Sequence, residues 1–122
     1  MQQLSGVDAS FLYLETERTP MHVAGLTLYE LPEGFEGSFY DHFRTFFEGR
    51  VHLVPIFNRK LARTVFELDH PGWVEVDDLD FDYHITKVEL GKPGSMEQVE
   101  QFVAEIHAKP LDRIKPLLQF FL

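Results

Sequence analysis

The sequence has 122 residues, of which 44% are hydrophobic and 25% charged, a balance that is ordinary for a soluble globular domain. Its formal net charge of −9 argues against a nucleic-acid partner and against electrostatic capture by anionic lipid, because both need clustered Lys and Arg. Cysteine is absent, which excludes disulfides, thiolate zinc sites and cysteine nucleophiles. No apolar stretch approaches the roughly 20 residues needed to span a bilayer.

The chain begins with a predicted helix followed by a predicted strand. Ser5 and Asp8 resemble a capping box, and apolar residues then recur at helical spacing, which predicts a short amphipathic helix to about Thr16. Residues 21–31 are apolar on both faces, so we predict a strand in the interior of a sheet. Gly25 within that segment indicates that a backbone, a side chain or a ligand approaches closely.

The middle of the chain predicts a second helix and a hairpin. Ser38 is the expected N-cap of a helix that ends near Gly49. Four phenylalanines share one face of this helix, a pattern more typical of a core than of a lipid-binding groove: Phe39, Phe43, Phe46 and Phe47. Pro55 divides residues 51–63 into an extended piece and a short helix. Residues 64–68 and 73–76 predict two short strands joined by a tight turn.

The last third of the chain predicts two strands with a helix between them. Alternating apolar residues predict a strand over residues 81–90. Ser95 and Gln98 form a capping box, which predicts a helix over residues 96–109. The run over residues 116–122 starts with a proline and is apolar on both faces, as expected for a strand buried inside a sheet.

The alternation of helices and strands predicts an α/β fold with helices layered on a mixed sheet. The sequence stops inside the apolar run 116–122, although chain termini normally lie at the surface. We therefore expect residues 1–122 to be a single incomplete N-terminal domain of a larger protein. Made alone, this piece is expected to be poorly stable or to self-associate through its apolar last strand.

No group of side chains in the sequence has the spacing of an active site. The six histidines are dispersed and have no orienting triad pattern, so each is predicted to be a packing or surface residue rather than a base: His22, His42, His52, His70, His84 and His107. His22 and His84 fall in predicted strands, from which a side chain can point into a pocket. The acidic residues over 77–82 lack the central glycine and bidentate glutamate of a calcium loop, so no metal site is predicted.

Stretches along nearly the whole chain resemble, in the same order, the bacterial wax ester synthase/diacylglycerol acyltransferases. They are Ser5 to Glu15 with Pro20 to Leu26, Val54-Pro55-x-Phe57-x-Arg59-Lys60-Leu61, Trp73-Val74-Glu75 with Leu79-Asp80 to Ile85, and Pro110-Leu111-Asp112-Arg113-x-x-Pro116-Leu117. One departure is Leu118, where the family usually has tryptophan after the final Pro-Leu. That difference bears on the local packing, or on an acyl-site contact, at this position.

The resemblance implies a fold and a reaction. The fold is that of the CoA-dependent acyltransferases, which include chloramphenicol acetyltransferase. In the implied reaction, a histidine base takes the proton of a diacylglycerol or long-chain alcohol hydroxyl, which attacks the thioester of acyl-CoA. The family's base is the second histidine of a His-His-x-x-x-Asp-Gly motif that lies beyond Leu122. No catalytic residue is therefore assigned in this sequence, and the piece alone is expected to be inactive. The resemblance implies acyl-CoA as a co-substrate and no bound cofactor.

Two alternatives stay open beside a triacylglycerol or wax ester acyltransferase. One is a condensation-type or polyketide-associated acyltransferase of the same fold, and the other is a non-catalytic lipid-binding or assembly module. The location expected for the acyltransferase is the cytoplasm, with peripheral contact at a membrane or lipid inclusion at most. Acyl chain length and acceptor preference are not predicted.

Overall fold

The computed structural model describes residues 2–62 and 70–122, and its helices and strands are interspersed along the chain, which confirms the predicted α/β class. In order the elements are β1 (Gln2–Gln3), α1 (Gly6–Leu14), α2 (Phe39–Glu48), β2 (Arg59–Ala62), β3 (Gly72–Glu75), α3 (Phe81–His84), β4 (Ile85–Thr86), α4 (Met96–His107) and β5 (Phe120–Phe121). Two 3-10 turns, Val51–Leu53 and Pro55–Asn58, connect α2 to β2.

The strands of the described residues form two small sheets. In the first, β3 lies between β1 and β2 and is antiparallel to both, with Trp73 opposite Gln2 on one side and Leu61 on the other. In the second, β4 and β5 run parallel, with Ile85 opposite Phe120. This parallel pair joins the last residues of the chain to the centre of the molecule.

The core forms where α2 crosses the parallel pair. Phe47, Leu79 and Ile85 are buried there, and aromatic side chains surround them. The ring centroid of Phe47 lies 5.2 Å from that of Phe120 and 6.1 Å from that of Phe43. Such aromatic pairs contribute beyond their buried area, so α2 and the C-terminal strand stabilise each other.

The predicted phenylalanine stripe of α2 is only partly in this core. Phe43 and Phe47 lie in the core, as predicted. Phe39 and Phe46 are exposed, so the core prediction is wrong for these two residues. Phe46 precedes Phe47 and is rotated from it by about 100° around the helix, so it points outward with 57% exposure. Phe39 lies one turn N-terminal to Phe43, at the exposed start of the helix.

Serine N-caps begin the three longer helices, as predicted. Ser5, Ser38 and Ser95 each accept a backbone N–H through Oγ, at 3.1, 3.4 and 3.3 Å. The capping box is reciprocal at Ser95, whose own N–H donates to Gln98 Oε1 at 2.7 Å. These caps satisfy N–H groups that have no partner within the helix.

The predicted interior strand over residues 21–31 is wrong in this structure. The segment belongs to no helix or strand of the structure. Most of its apolar side chains are exposed, including Val23 at 95% and Tyr29 at 81%. Apolar residues on both faces are typical of a buried strand, but no described strand pairs with residues 21–31.

The observed strand pairing changes one further prediction and confirms another. Residues 59–62 are the strand β2 rather than part of a short helix, because they pair with β3 along its whole length. The strand predicted over 64–68, and with it the predicted hairpin, lies outside the described residues. Its second strand is confirmed as β3.

The strand predicted over 81–90 is also corrected. Residues 81–84 form the helical turn α3, because Asp80 caps it by accepting the Tyr83 N–H at 3.2 Å through Oδ1. The strand that follows is limited to Ile85–Thr86. Likewise, the C-terminal strand predicted over 116–122 is limited to β5, Phe120–Phe121.

Replacing Phe47 with alanine tests the core. We expect Phe47→Ala to lower the free energy of unfolding of the 122-residue chain by about 3–5 kcal/mol, because it removes a buried ring that contacts α2, α3 and β5. Phe46→Ala, the neighbouring exposed position, is the control and should change it by about 0.5 kcal/mol or less. Denaturant titration measures both, and equal losses would contradict this core.

Candidate functional site

A groove of about 400 Å³ lies between α1, residues 21–23 and the segment 111–117. Its walls are mainly apolar side chains, namely Leu4, Phe11, Leu12, Met21, Val23, Trp73, Leu111 and Leu117. Four polar or charged residues complete it: Asp8, Glu15, His22 and Arg113. An apolar cavity of this size with a few convergent polar groups is typical of small-molecule sites, so we treat this α1 groove as the candidate site.

Glu15 and Arg113 hold the polar end of the groove together. Glu15 Oε1 accepts from Arg113 Nη2 at 3.1 Å and from Nε at 3.3 Å, and Glu15 Oε2 accepts the Met21 N–H at 3.0 Å. Arg113 Nη2 also donates to the Leu12 carbonyl at 2.5 Å. The Glu15 side chain is only 11% exposed, a setting in which a charged group needs such partners. This network fixes the exit of α1 against the segment 111–117.

The far end of the same segment is anchored by a lysine and a histidine. Lys115 Nζ lies 3.7 Å from the ring centroid of Tyr83, a cation–π distance. Burial raises the pKa of the Tyr83 hydroxyl, and the negative charge of Asp112 raises it further. His84 Nδ1 lies 2.7 Å from the Leu118 carbonyl. Because a carbonyl can only accept, Nδ1 carries a proton and donates it.

The two histidines singled out in the sequence have different environments. His84 is 1% exposed and contacts the C-terminal segment within the core, away from the groove. His22 lines the groove, and its shielded Nδ1 has no hydrogen-bond partner among the described residues. The His22 ring stands edge-on to that of His107, with centroids 4.8 Å apart. Only His22 therefore fits the prediction that a histidine points into a pocket.

This arrangement is suited to binding more than to chemistry. A catalytic histidine is normally oriented by a second group through its other ring nitrogen, and the unpartnered Nδ1 of His22 lacks that support. In the part of the chain that the structure describes, His, Asp and Glu side chains nowhere gather in threes as a metal ion would require. The carboxylate of Glu15 is already paired. The groove can thus shelter an apolar molecule.

Sequence reasoning missed the link between Glu15 and Arg113. The two residues are 98 positions apart, and local periodicity and capping patterns carry no information over that distance. Trp73, another groove residue, was predicted to lie in a strand and belongs to the family resemblance, but the sequence did not place it in a pocket. A paired carboxylate and guanidinium become visible only once the fold brings α1 and residues 111–117 together.

A family model described as the wax ester synthase/diacylglycerol acyltransferase catalytic domain matches residues 4–122. The chain belongs to the wax ester synthase/diacylglycerol acyltransferase family. This confirms the resemblance drawn from the motifs of the sequence. Within residues 2–62 and 70–122, no helix has both the length and the apolar character needed to cross a membrane.

Individual relatives agree with the family match. A Mycobacterium tuberculosis protein named "Probable diacyglycerol O-acyltransferase tgs3" is 34% identical over 120 residues, 98% of this chain and 44% of that protein. A second M. tuberculosis protein, also named for diacylglycerol O-acyltransferase activity, is 36% identical over 119 residues, 98% of this chain and 25% of that protein. The chain therefore spans less than half the length of either relative.

A solved structure has the same fold. The wax ester synthase/diacylglycerol acyltransferase from Marinobacter aquaeolei VT8 superposes with a TM-score of 0.80 at 32% identity, over 95% of this chain and 28% of that one. The predicted acyltransferase fold class is thereby confirmed. The regions that superpose amount to little more than a quarter of the Marinobacter enzyme.

The paired carboxylate of Glu15 can be tested by removing its charge. We expect Glu15→Gln to lower the free energy of unfolding by about 1–3 kcal/mol, the range for hydrogen bonds to charged groups, because Arg113 and the Met21 N–H lose an ionised acceptor. Glu17→Gln, at an exposed position two residues along, is the matched control and should have little effect. Thermal or denaturant melts measure both, and identical melts for the two variants would refute the network.

Proposed function

We propose that this chain is the N-terminal part of a longer acyltransferase, called the parent enzyme below, that esterifies diacylglycerol or a long-chain alcohol. The observation that carries this proposal is the family match over residues 4–122. The Marinobacter structure supports it, because a wax ester synthase/diacylglycerol acyltransferase contains a region of the same fold that makes up 28% of its chain. Acyl-CoA is the proposed acyl donor, and no bound cofactor is proposed.

The proposed reaction needs only an acceptor, a thioester and a base. The acceptor hydroxyl oxygen attacks the carbonyl carbon of acyl-CoA while the base takes the hydroxyl proton. A C–O bond forms, the C–S bond breaks, and the departing CoA thiolate takes the proton back. The products are an ester, triacylglycerol or wax, and free CoA.

We place the base of this reaction in the parent enzyme beyond Leu122. Neither of the histidines on which sequence reasoning focused is equipped for the role, because His84 is buried against the Leu118 carbonyl and His22 has no orienting partner among the described residues. The family resemblance assigns the base to a His-His-x-x-x-Asp-Gly motif that this sequence does not contain. The chain's own contribution is then scaffold and binding surface.

The α1 groove is proposed to hold part of an alkyl chain of a substrate. Its walls are apolar on the α1 side and on the side of residues 111–117. Glu15 and Arg113 neutralise each other at 3.1 Å, and the third charged residue, Asp8, is exposed and accepts a hydrogen bond from Ser5 Oγ at 2.7 Å. A hydrocarbon chain that lies beside the Glu15–Arg113 pair can therefore enter without stripping water from an unpaired charge. Burial of each methylene contributes about 0.8 kcal/mol.

Contact of the parent enzyme with lipid is also proposed, from the cytoplasm and at the surface of a membrane or lipid inclusion. Diacylglycerol and long-chain alcohols reside in lipid phases, so an enzyme that uses them has to reach one. The net charge of −9 is unfavourable for attraction to anionic headgroups. Apolar contacts are therefore the expected means of such peripheral association.

Filling the groove tests its proposed role. In the parent enzyme, Leu12→Trp should raise KM for hexadecanol about tenfold, because exclusion of two methylenes costs about 1.6 kcal/mol. The KM for a short-chain alcohol should change little, because a short chain would not reach the blocked part. Release of CoA thiol from acyl-CoA follows both reactions.

Ile114→Trp is the control, because Ile114 is exposed and lies outside the groove lining. It should leave the dependence on acceptor length unchanged. If Leu12→Trp raised KM equally for long and short acceptors, the α1 groove would not be the site of the alkyl chain. A parent protein that binds alkyl chains but never releases thiol would instead favour a non-catalytic lipid-binding module.

A further inference from the structure

His22 is a polar side chain in the lining of the mainly apolar α1 groove, and neither of its ring nitrogens has a partner among the described residues. Nδ1 is shielded from solvent. Nε2 is not shielded in this way, so it is the ring nitrogen that is open to a partner. A polar group beside apolar walls is normally satisfied by a ligand or by water.

The environment of Nδ1 decides which nitrogen of His22 carries the proton. A neutral imidazole has one N–H donor and one acceptor nitrogen. A proton on Nδ1 would be a shielded donor without an acceptor, and orphaned buried N–H groups are rarer in proteins than orphaned acceptors. The favoured tautomer therefore has its proton on Nε2. The open nitrogen of His22 is then a donor, and its partner has to be an acceptor.

Two contacts hold the His22 ring in place. The preceding residue, Met21, donates its N–H to Glu15 Oε2 at 3.0 Å, which fixes the backbone next to His22. The ring stands edge-on to that of His107, with 4.8 Å between the centroids and 77° between the planes. A donor that is held in position before the ligand arrives loses less entropy on binding than a mobile one.

The other polar side chains of the groove narrow the chemistry of the ligand. Glu15 and Arg113 are paired with each other, and Asp8 is exposed to water. Trp73 carries the other uncharged N–H of the lining, and it too makes no hydrogen bond to a described residue. The uncharged side chains of the groove thus offer N–H donors between apolar walls. This combination suits an oxygen that only accepts, such as the carbonyl oxygen of an ester.

We propose that His22 donates a hydrogen bond through Nε2 to an ester carbonyl oxygen of diacylglycerol and thereby favours diacylglycerol over a long-chain alcohol as acyl acceptor. The inference rests on the proposed function, in which the acceptor hydroxyl reacts at a base outside this chain. An acceptor oxygen that meets His22 is then a second oxygen. Diacylglycerol has ester oxygens besides its hydroxyl, whereas hexadecanol has none. His22 is thus a specificity-determining residue and not a catalytic one.

Acyl-CoA is a poorer partner for this donor. Its thioester carbonyl has to lie at the base, and its pantetheine amides carry N–H groups that apolar walls leave unsatisfied. A water molecule on Nε2 is the other alternative, and it would make His22 no more than a wall of the groove. The experiment below distinguishes all three partners.

Equilibrium binding to the parent enzyme in the absence of acyl-CoA tests the proposal. The probes are 1,2-dioctanoylglycerol and its ether analogue 1,2-di-O-octylglycerol, which share the chain length and the free hydroxyl but differ in the ester carbonyls. Calorimetric titration gives the two Kd values. We expect the wild type to bind the ester more tightly, and His22→Leu to lower the ratio of ether Kd to ester Kd by about twofold to tenfold, the effect of one hydrogen bond between uncharged groups.

Two amide variants locate the donor. His22→Gln places a side-chain N–H at about the reach of Nε2, so the preference for the ester should survive. His22→Asn places its N–H at about the position of Nδ1, which is shielded, so the preference should be lost as in His22→Leu. A purely structural role of the ring would not be rescued by glutamine alone.

The remaining outcomes separate the alternatives. An unchanged ratio in His22→Leu would overturn the proposal and leave water as the partner of Nε2. Equal binding of ester and ether by the wild type would overturn it too, as would a variant whose only change is weaker binding of acyl-CoA. A parent enzyme that prefers the ester but releases no thiol would refute the proposed function alone, because binding is measured without turnover.

Discussion

The geometry of the candidate site depends on one carboxylate. Glu15 accepts hydrogen bonds from Arg113 and from the Met21 N–H, and so joins the end of α1, the start of the segment 21–31 and the segment 111–117. Each of these elements contributes apolar side chains to the α1 groove. Without the pair, a nearly buried carboxylate would face apolar walls, which is costly unless it has partners. This interaction therefore pairs two charges at one end of the groove and holds together the three segments that form its walls.

The sequence predicted most where the determinants were local. The N-caps Ser5, Ser38 and Ser95 were found because a cap is defined within one turn of its helix. Phe43 and Phe47 were assigned correctly to the core, whereas Phe46 was not, since a stripe of apolar residues does not reveal how wide the buried arc is. The helical turn α3 was missed because the Asp80 cap outweighed an alternating pattern. Local sequence patterns do not predict contacts between residues far apart in the chain, such as that between Glu15 and Arg113.

The segment 21–31 begins in the wall of the groove. Met21, His22 and Val23 line the groove, and the residues that follow leave it with both faces uncovered. The described residues thus form a core between α2 and the parallel strands, with exposed apolar side chains beside it. In the proposed function the catalytic base lies outside this chain, and residues 1–122 contribute part of the walls and the scaffold of the site.

The most direct test of this account is the release of CoA thiol from a long-chain acyl-CoA, followed for the parent enzyme and for residues 1–122 at matched concentrations with hexadecanol or dioleoylglycerol. The account predicts acceptor-dependent thiol release by the parent enzyme, with the corresponding ester as product, and none by the 122-residue chain. Turnover by residues 1–122 at a rate comparable to that of the parent would contradict it, because the catalytic base would then have to lie within this chain.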